Sequence, residues 1–329
     1  MKLFKKIIFW TGIVLIVLAV LGILVVNLTP VPISMLVRDQ FKKKISTEPN
    51  NYGEYANKVS VIHDIEYVSE FKDNKADLYL PKNGRDFPLI IWVHGGAFVG
   101  GDKKDVENYA TMLAANGYAV LAMNYERSPE LKYPNQLKQI EEVYKSFKDV
   151  ALSYGVDINK LYLAGDSAGA LMVSQIALIQ SSTDYAKMMN FESIIPIDTI
   201  KGLLLYCGPY DLKDINKTSS PFVSFIFSQV SWSYFGIRNW TTTYGDIVTI
   251  KNHVTEDFPA TFITDGNDFS FEKQAKELEK ALINKNVSVK AFYIPENIKA
   301  SHEYQFKLDT EYGFKSLDET LEFLRETDE

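Results

Sequence analysis

A serine between two glycines is the feature of this sequence with the clearest chemical meaning. Residues 165–169 read G-D-S-A-G, which fits the G-x-S-x-G nucleophile elbow. In such an elbow a sharp strand-to-helix turn exposes the serine hydroxyl at the edge of a sheet. The apolar run 161–164 and the alanine-rich run 168–180 predict that strand and that helix. Ser167 is therefore a candidate nucleophile, and the alternative is an ordinary turn with a solvated serine.

A serine hydroxyl needs a general base, and the base needs an acid that orients it. The chain has four histidines. When the nucleophile lies on such an elbow, the catalytic residues follow along the chain in the order Ser, Asp or Glu, His. His302 lies in a loop after the last predicted strand and is the candidate base. His253 precedes the best acid candidates, which favours a surface histidine.

The loop after the predicted strand 261–264 supplies two acid candidates. Asp265 lies at the strand end, where the Asp-Gly sequence gives it a structural role in a turn. Asp268 lies further out on the loop and is the preferred acid, with Asp265 as the alternative.

The oxyanion of an acyl transfer needs donors that are fixed before the reaction begins. Ala168, the residue after the nucleophile, supplies one backbone N–H. Residues 94–98 read H-G-G-A-F directly after a buried strand, and paired glycines let a backbone approach a ligand closely. We expect the other donors in this loop and expect His94 to hold it by hydrogen bonds.

Together these motifs resemble those of the α/β-hydrolase superfamily, and within it the hormone-sensitive-lipase-like carboxylesterases. H-G-G-A-F is similar to the family's H-G-G-G-F/W loop, G-D-S-A-G equals its common elbow, and residues 124–134 resemble its Y-R-L-A-P-E…Y-P segment. The resemblance covers residues 60–310 and implies no metal or organic cofactor. It implies the following roles: nucleophile Ser167, acid Asp268, base His302, and oxyanion donors Gly96, Ala97 and Ala168 with Gly95 beside them.

The sequence departs from the family pattern at two functional positions. Ala97 replaces the third glycine, which keeps its N–H but narrows the access to it. Asp268-Phe269-Ser270 stands where the family has D-P-L, so Asp265 stays open as the acid.

The elements that must position these residues alternate between strand-like and helix-like segments, which predicts a mostly parallel sheet with helices on both faces. The first two strands are predicted as antiparallel edge strands. The predicted strands are 61–71, 76–80, 89–93, 119–123, 161–164, 202–206, 261–264 and 287–293, and the predicted helices are 105–116, 133–154, 168–180, 271–284 and 316–325. The aromatic stretch 211–258 breaks this rhythm and is predicted to be a cap over the binding cleft, with a local satellite core as the alternative.

The N-terminus predicts a membrane anchor. Residues 7–28 carry no charge, follow three lysines and would span about 33 Å as a helix, enough for the core of a bilayer. A small-x-small cleavage site does not follow, which favours an uncleaved anchor over a signal peptide. The basic tip indicates a single-pass protein with its catalytic domain outside the cytoplasm, although Lys42–Lys44 oppose that orientation.

The resulting organisation is a tip and anchor over 1–30, a connector over 31–58 and a catalytic domain over 59–329. Residues 33–45 of the connector are expected to form an amphipathic helix at the membrane surface. The net charge of −7 argues against a nucleic-acid partner. The single cysteine, Cys207, excludes a disulfide scaffold and is predicted to be a buried structural thiol.

The function that these observations favour is a membrane-anchored serine hydrolase cleaving short acyl or acetyl esters. Its substrate would be a small molecule, a lipid or an envelope polysaccharide ester. Two alternatives use the same fold, a serine peptidase or amidase and a non-catalytic hydrolase-like binding module. The sequence specifies no oligomeric state.

Overall fold

The structure, a computed structural model, describes residues 2–42, 46–215 and 220–328. Eight strands alternate with helices along the chain. The strands are β1 (Val59–Glu66), β2 (Lys75–Pro81), β3 (Phe87–Val93), β4 (Ala119–Met123), β5 (Val156–Asp166), β6 (Ile200–Tyr206), β7 (Thr261–Asp265) and β8 (Val289–Tyr293). The helices are α1 (Lys2–Leu28), α2 (Val31–Gln40), α3 (Tyr52–Ala56), α4 (Glu107–Ala115), α5 (Asn135–Lys148), α6 (Ala168–Ser181), α7 (Thr183–Met189), α8 (Leu212–Ile215), α9 (Pro221–Phe235), α10 (Trp240–Thr243), α11 (Glu272–Ile283) and α12 (Glu311–Asp328).

The strands form one sheet in the order β1-β2-β4-β3-β5-β6-β7-β8. The pairs β1–β2 and β2–β4 are antiparallel, and every pair from β4 to β8 is parallel. The predicted fold class is therefore confirmed, including the antiparallel edge. Because the central strands are parallel and in register, Val93, Asp166, Tyr206 and Asp265 end at the same edge of the sheet.

Both faces of the sheet are covered, which explains the continuous apolar runs of the central strands. Along β3, Leu89, Ile91 and Val93 belong to a core shared with α5, α6 and α11. Ile90 and Trp92 point the other way, into a core shared with α4 and α12.

Several predicted elements differ in extent from the observed ones; β5, for example, begins at Val156 rather than at residue 161. The first strand ends at Glu66 rather than at residue 71, because the Tyr67 N–H bonds to the Asn74 carbonyl and closes a turn. The helix predicted over 133–154 ends at Lys148, and a separate 3-10 turn over Ala151–Tyr154 follows it. Gly155 then takes a left-handed conformation with a φ of 72°, which ends the turn.

The aromatic insertion contains helices rather than strands, namely α8, α9 and α10. Tyr234 of α9 stacks on Phe98 with ring centroids 3.9 Å apart, so the insertion contacts the loop after β3. Both rings belong to the buried core, so the cap over a binding cleft stays a prediction.

Within the described residues, α1 is the one helix long and apolar enough to cross a membrane. α2 follows it directly but ends at Gln40, short of the predicted 33–45 helix. Ile45, at the end of that prediction, lies outside the described residues.

Candidate active site

Ser167 lies at the turn between β5 and α6 in the backbone geometry of a nucleophile elbow. Its φ is 48° and its ψ −117°, a region that non-glycine residues rarely occupy. A Cβ on Gly169 would lie 1.9 Å from the carbonyl oxygen of Val93, and one on Gly165 would lie 2.4 Å from the carbonyl carbon of Gly169. The two flanking glycines are therefore required because the turn packs backbone against backbone.

The structure brings His302 to Ser167, which lies 135 residues earlier in the chain. His302 Nε2 is 2.9 Å from Ser167 Oγ. Burial lowers the pKa of His302 to about 4, which favours the neutral imidazole that can accept a proton. His302 lies in the loop between β8 and α12, as predicted.

The other ring nitrogen of His302 contacts a residue that sequence reasoning did not propose. His302 Nδ1 is 2.9 Å from Ser270 Oγ, and the Ser270 hydroxyl donates to Asp265 Oδ1. The Phe271 N–H donates to the same oxygen at 3.2 Å. A serine is too common in loops for its position here to have carried a signal. The side-chain contacts from Asp265 through Ser270 and His302 to Ser167 therefore form one continuous series.

The two acid candidates lie in different surroundings. Asp265 is fully buried, and burial raises the pKa of its carboxyl to about 7. Asp268 is half-buried, and its backbone pairs with Ala300 and Ser301. Among the described residues, no hydrogen bond joins the Asp268 carboxylate to His302. The geometry thus links the base to Asp265, the alternative, and leaves the preferred Asp268 unlinked to it.

Cys207 lies beside this chain of contacts as a buried free thiol, in agreement with its predicted structural role. Its sulfur, an Asp265 carboxylate oxygen and a His302 ring nitrogen lie within 4.8 Å of one another. Cys, Asp and His are zinc ligands. Here both ring nitrogens contact serines, and burial raises the pKa of the thiol well above its ordinary value, which disfavours the thiolate that a metal needs.

The loop after β3 has an unusual backbone conformation. Gly96, Ala97 and Phe98 have φ values of 111°, 51° and 63°, a left-handed run that turns successive amides in one direction. Within the described parts of the chain, the N–H groups of Gly96 and Ala97 donate to no protein acceptor. The Ala168 N–H, in the first turn of α6, has no partner inside the helix.

Gly95, also predicted as part of the oxyanion hole, has its N–H engaged elsewhere. It donates to Asp166 Oδ2 at 2.8 Å, and Trp92 Nε1 donates to Oδ1 at 2.7 Å. The side chain of the elbow's Asp166 therefore holds the start of the oxyanion loop in place.

A second carboxyl group packs against Asp166. Glu303 hydrogen-bonds to Asp166, and burial together with the neighbouring carboxylate raises the pKa of Glu303 well above its ordinary range. Burial raises the pKa of Asp166 to about 6. Because Asp166 accepts from three donors, the shared proton belongs on Glu303.

His94 holds the same loop from the other side, as predicted. Its Nδ1 is 2.7 Å from the Gly95 carbonyl oxygen, and its ring stacks on Tyr125 with centroids 4.5 Å apart. Burial lowers the pKa of His94 to about 4, so the neutral ring donates to that carbonyl. His253 lies outside the site, where its Nε2 contacts the Asp246 carbonyl.

The connector helix α2 also contacts the oxyanion loop. Arg38 donates to the carbonyl oxygen of Val99 at 2.5 Å and to that of Ser128 at 2.6 Å, and it forms a two-pronged ion pair with Glu130. The ring of Phe41 packs so closely on Gly100 that a Cβ there would lie 2.5 Å from it. The connector is therefore packed against the site.

A cavity of about 380 Å³ lies between α9 and the acid loop, lined by Phe227, Ser270 and Phe271 among others. It opens next to the hydroxyl that contacts His302.

A family model named BD-FAE matches residues 76–282, which is more than half of the chain. The chain belongs to the BD-FAE family. Curated relatives of this BD-FAE-family chain include a kynurenine formamidase of Salmo salar, 33% identical over 45% of this chain and 46% of the relative. An acetyl esterase of Salmonella schwarzengrund is 29% identical over 38% of this chain and 36% of the relative. The chain thus spans about half the length of the curated relatives it matches first.

Solved structures show the same fold. Esterase B from Lactobacillus rhamnosis superposes with a TM-score of 0.73 at 21% identity, over 89% of this chain and 93% of that one. An esterase of Pyrobaculum calidifontis superposes with a TM-score of 0.66 at 19% identity, over 89% and 92%. These superpositions confirm the predicted α/β-hydrolase fold for this BD-FAE-family chain.

Proposed function

We propose that this protein is a membrane-anchored serine hydrolase that cleaves carboxylic esters with short acyl groups. The observation that carries the proposal is the 2.9 Å contact between Ser167 Oγ and His302 Nε2 at an elbow with the required backbone geometry. This contact, together with the N–H groups of Gly96 and Ala97 that have no acceptor among the described residues, supports nucleophile, base and oxyanion stabilisation at one site.

In the proposed reaction, Ser167 Oγ attacks the ester carbonyl carbon while its proton passes to His302 Nε2. The carbonyl oxygen becomes an oxyanion that the N–H groups of Gly96, Ala97 and Ala168 stabilise. The tetrahedral intermediate collapses, the C–O bond to the alcohol breaks, and the imidazolium returns its proton to the leaving oxygen. His302 then takes a proton from water, whose oxygen attacks the acyl-enzyme and releases the acid.

Asp265, acting through Ser270, is the proposed acid of this site. The Ser270 hydroxyl donates to Asp265, so its oxygen is free to accept the proton on His302 Nδ1. That proton position leaves Nε2 unprotonated and able to accept from Ser167. Ser270 is thus proposed as a positioning residue that sets the tautomer of His302.

Ester cleavage is preferred to amide cleavage because a relative named as an acetyl esterase matches part of this chain and solved esterases share its fold. One observation favours an amidase as the second candidate, namely that the Salmo salar relative carries the name of a formamidase. The same constellation would serve both reactions, since both pass through an acyl-enzyme.

Helix α1 is the proposed anchor, through residues 7–28, with the catalytic domain outside the cytoplasm. Its apolar residues are exposed all round, as the surface of a membrane-spanning helix would be. The alternative is a signal sequence. The mass and N-terminal sequence of the mature protein distinguish the two, because cleavage would remove α1.

A fluorophosphonate probe tests the catalytic proposal on the full-length protein. Labelling should occur in the wild type and be lost in Ser167→Ala and His302→Ala. Parallel assays use p-nitrophenyl esters of increasing acyl chain length from acetate, a formanilide and aminoacyl anilides. The highest kcat/KM should be found with a short ester. Faster cleavage of an anilide than of the short esters would favour an amidase over an esterase. No labelling of folded wild-type protein would favour the non-catalytic binding module.

A further inference from the structure

Exposed apolar side chains are concentrated where the cap meets the connector. On α2 and the end of α1, Leu28, Val31, Met35 and Leu36 are exposed, with Leu36 at 64%. On and just beyond the cap helix α9, the exposed apolar residues are Phe222 at 71%, Val223, Phe225 and Ile237. Since α2 packs against α9, the two sets belong to neighbouring elements. We refer to these eight residues as the interfacial face.

The cap is tied to the end of the apolar helix by a specific contact. Arg238, which follows α9, donates to both the carbonyl oxygen and the side-chain oxygen of Asn27, each at 3.2 Å. Asn27 is at the end of the uncharged run 7–28, which is the level at which a spanning helix would leave the hydrocarbon. This contact places the C-terminal end of α9 at the same level.

The residues at that level have the chemistry of a membrane–water boundary. The Arg238 guanidinium lies over the half-buried ring of Trp232, 5.4 Å from its centroid. Tryptophan is enriched at this boundary, and basic side chains near the end of a spanning helix reach its polar layer. Exposed phenylalanine and leucine on a helix lying beside the boundary would be buried among the lipid headgroups and upper acyl chains.

We propose that the cap helix α9 and the connector helix α2 rest in the interfacial layer of the bilayer, with the interfacial face against lipid. The inference rests on the proposed anchoring by α1, with which this face is continuous. Because Tyr234 of α9 stacks on Phe98 of the oxyanion loop and Phe227 lines the cavity beside Ser270, the cap would connect lipid to the active site.

Depth-dependent quenching tests this arrangement in the full-length protein. Single cysteines at Leu36, Phe222 and Ile237 are labelled with an environment-sensitive fluorophore, and the protein is placed in phosphatidylcholine–phosphatidylglycerol vesicles containing a nitroxide lipid quencher. The native Cys207 is fully buried and its thiol pKa is raised, so unsubstituted protein serves as the labelling blank.

Leu152→Cys is the matched control, because Leu152 is also an exposed apolar residue, at 71%. It lies beside Gly155, next to the ends of β3 and β5 where those strands begin, and therefore at the opposite edge of the sheet from Ser167. Val17→Cys, in the middle of α1, reports on the anchor itself.

The proposal expects loss of emission at Leu36, Phe222, Ile237 and Val17, and none at Leu152. If the label at Val17 is quenched while the label at Phe222 emits as strongly as the label at Leu152, the interfacial position of the cap is overturned and the anchoring by α1 stands. If the label at Val17 is not quenched, the proposed anchoring by α1 is wrong, and the proposal for the interfacial face is wrong with it. Quenching at Leu152 equal to that at Phe222 would also overturn the proposal, because the label would then report no orientation.

Discussion

His302 Nδ1 lies 2.9 Å from the hydroxyl oxygen of Ser270, and that hydroxyl donates its proton to Asp265. A serine therefore stands between the base and the buried carboxyl group. The relationship makes two loops, one after β7 and one after β8, jointly responsible for the orientation of the imidazole.

The first prediction separates the two acid candidates. Asp265→Asn should lower kcat/KM by about 10³–10⁴-fold, because the asparagine would favour the wrong tautomer of His302. Ser270→Ala should cost roughly 10–100-fold, which corresponds to the loss of one hydrogen bond to a group that becomes charged. Asp268→Asn is the control and should stay near wild type. A severe loss in Asp268→Asn with little change in Ser270→Ala would make Asp268 the acid.

The second prediction concerns the acid side of the pH profile. Burial lowers the pKa of His302 to about 4, whereas it raises the pKa of Asp265 to about 7. Below pH 7 a protonated Asp265 would donate to Ser270, whose hydroxyl would then donate to His302 Nδ1 and move the ring proton to Nε2. With a proton on Nε2, His302 cannot accept the proton of the Ser167 hydroxyl.

We therefore expect kcat/KM on a p-nitrophenyl ester to rise with pH through about 7, where Asp265 ionises, rather than through about 4. Ser270→Ala should shift the remaining activity's acid limb to lower pH, because it disconnects Asp265 from the base. A wild-type limb near pH 4 would show that Asp265 ionisation does not control the reaction.

The third prediction assigns a positioning role to Arg38. Arg38→Ala removes the donors to Val99 and Ser128 and leaves Glu130 without its ion-pair partner. The oxyanion loop should become less ordered, so kcat should fall by about 10-fold with little change in KM. Arg38→Lys should recover part of the loss. Lys160→Ala, which removes the ion pair with Asp328, is the control and should leave kcat unchanged. Equal losses in both alanine variants would contradict the role.

The fourth prediction follows from the raised pKa of Glu303. The folded state keeps a proton that the unfolded chain releases above a pKa of about 4.3, so stability should fall as pH rises from there towards the higher folded-state pKa. Glu303→Gln removes this titration and can still donate to Asp166. Its thermal midpoint should match wild type near pH 4 and exceed it at pH 7.

Thermal unfolding of both proteins at several pH values checks this, with Asp268→Asn as a nearby carboxylate control. A Glu303→Gln variant that is less stable than wild type at pH 7 would mean that the ionised glutamate is favourable in the folded state. Activity of the variant should be retained, because Asp166 would still hold the Gly95 N–H.

The sequence alone determined the features that depend on local backbone geometry and chain order. The elbow around Ser167 requires small residues at 165 and 169, and those glycines are visible as a motif. The alternation of strands and helices determined the sheet. The order of serine, acid and histidine along the chain singled out His302 from the other three histidines.

Tertiary structure decided what depends on where side chains from distant loops meet. Ser270 contacts His302 because the loops after β7 and β8 lie side by side, and no local pattern encodes that approach. The same holds for Asp166, which engages the Gly95 N–H, and for Arg38, which reaches Val99 across 61 residues. Motifs record backbone constraints within a few residues, whereas hydrogen-bond partners are selected only when the sheet has brought its loops to one edge.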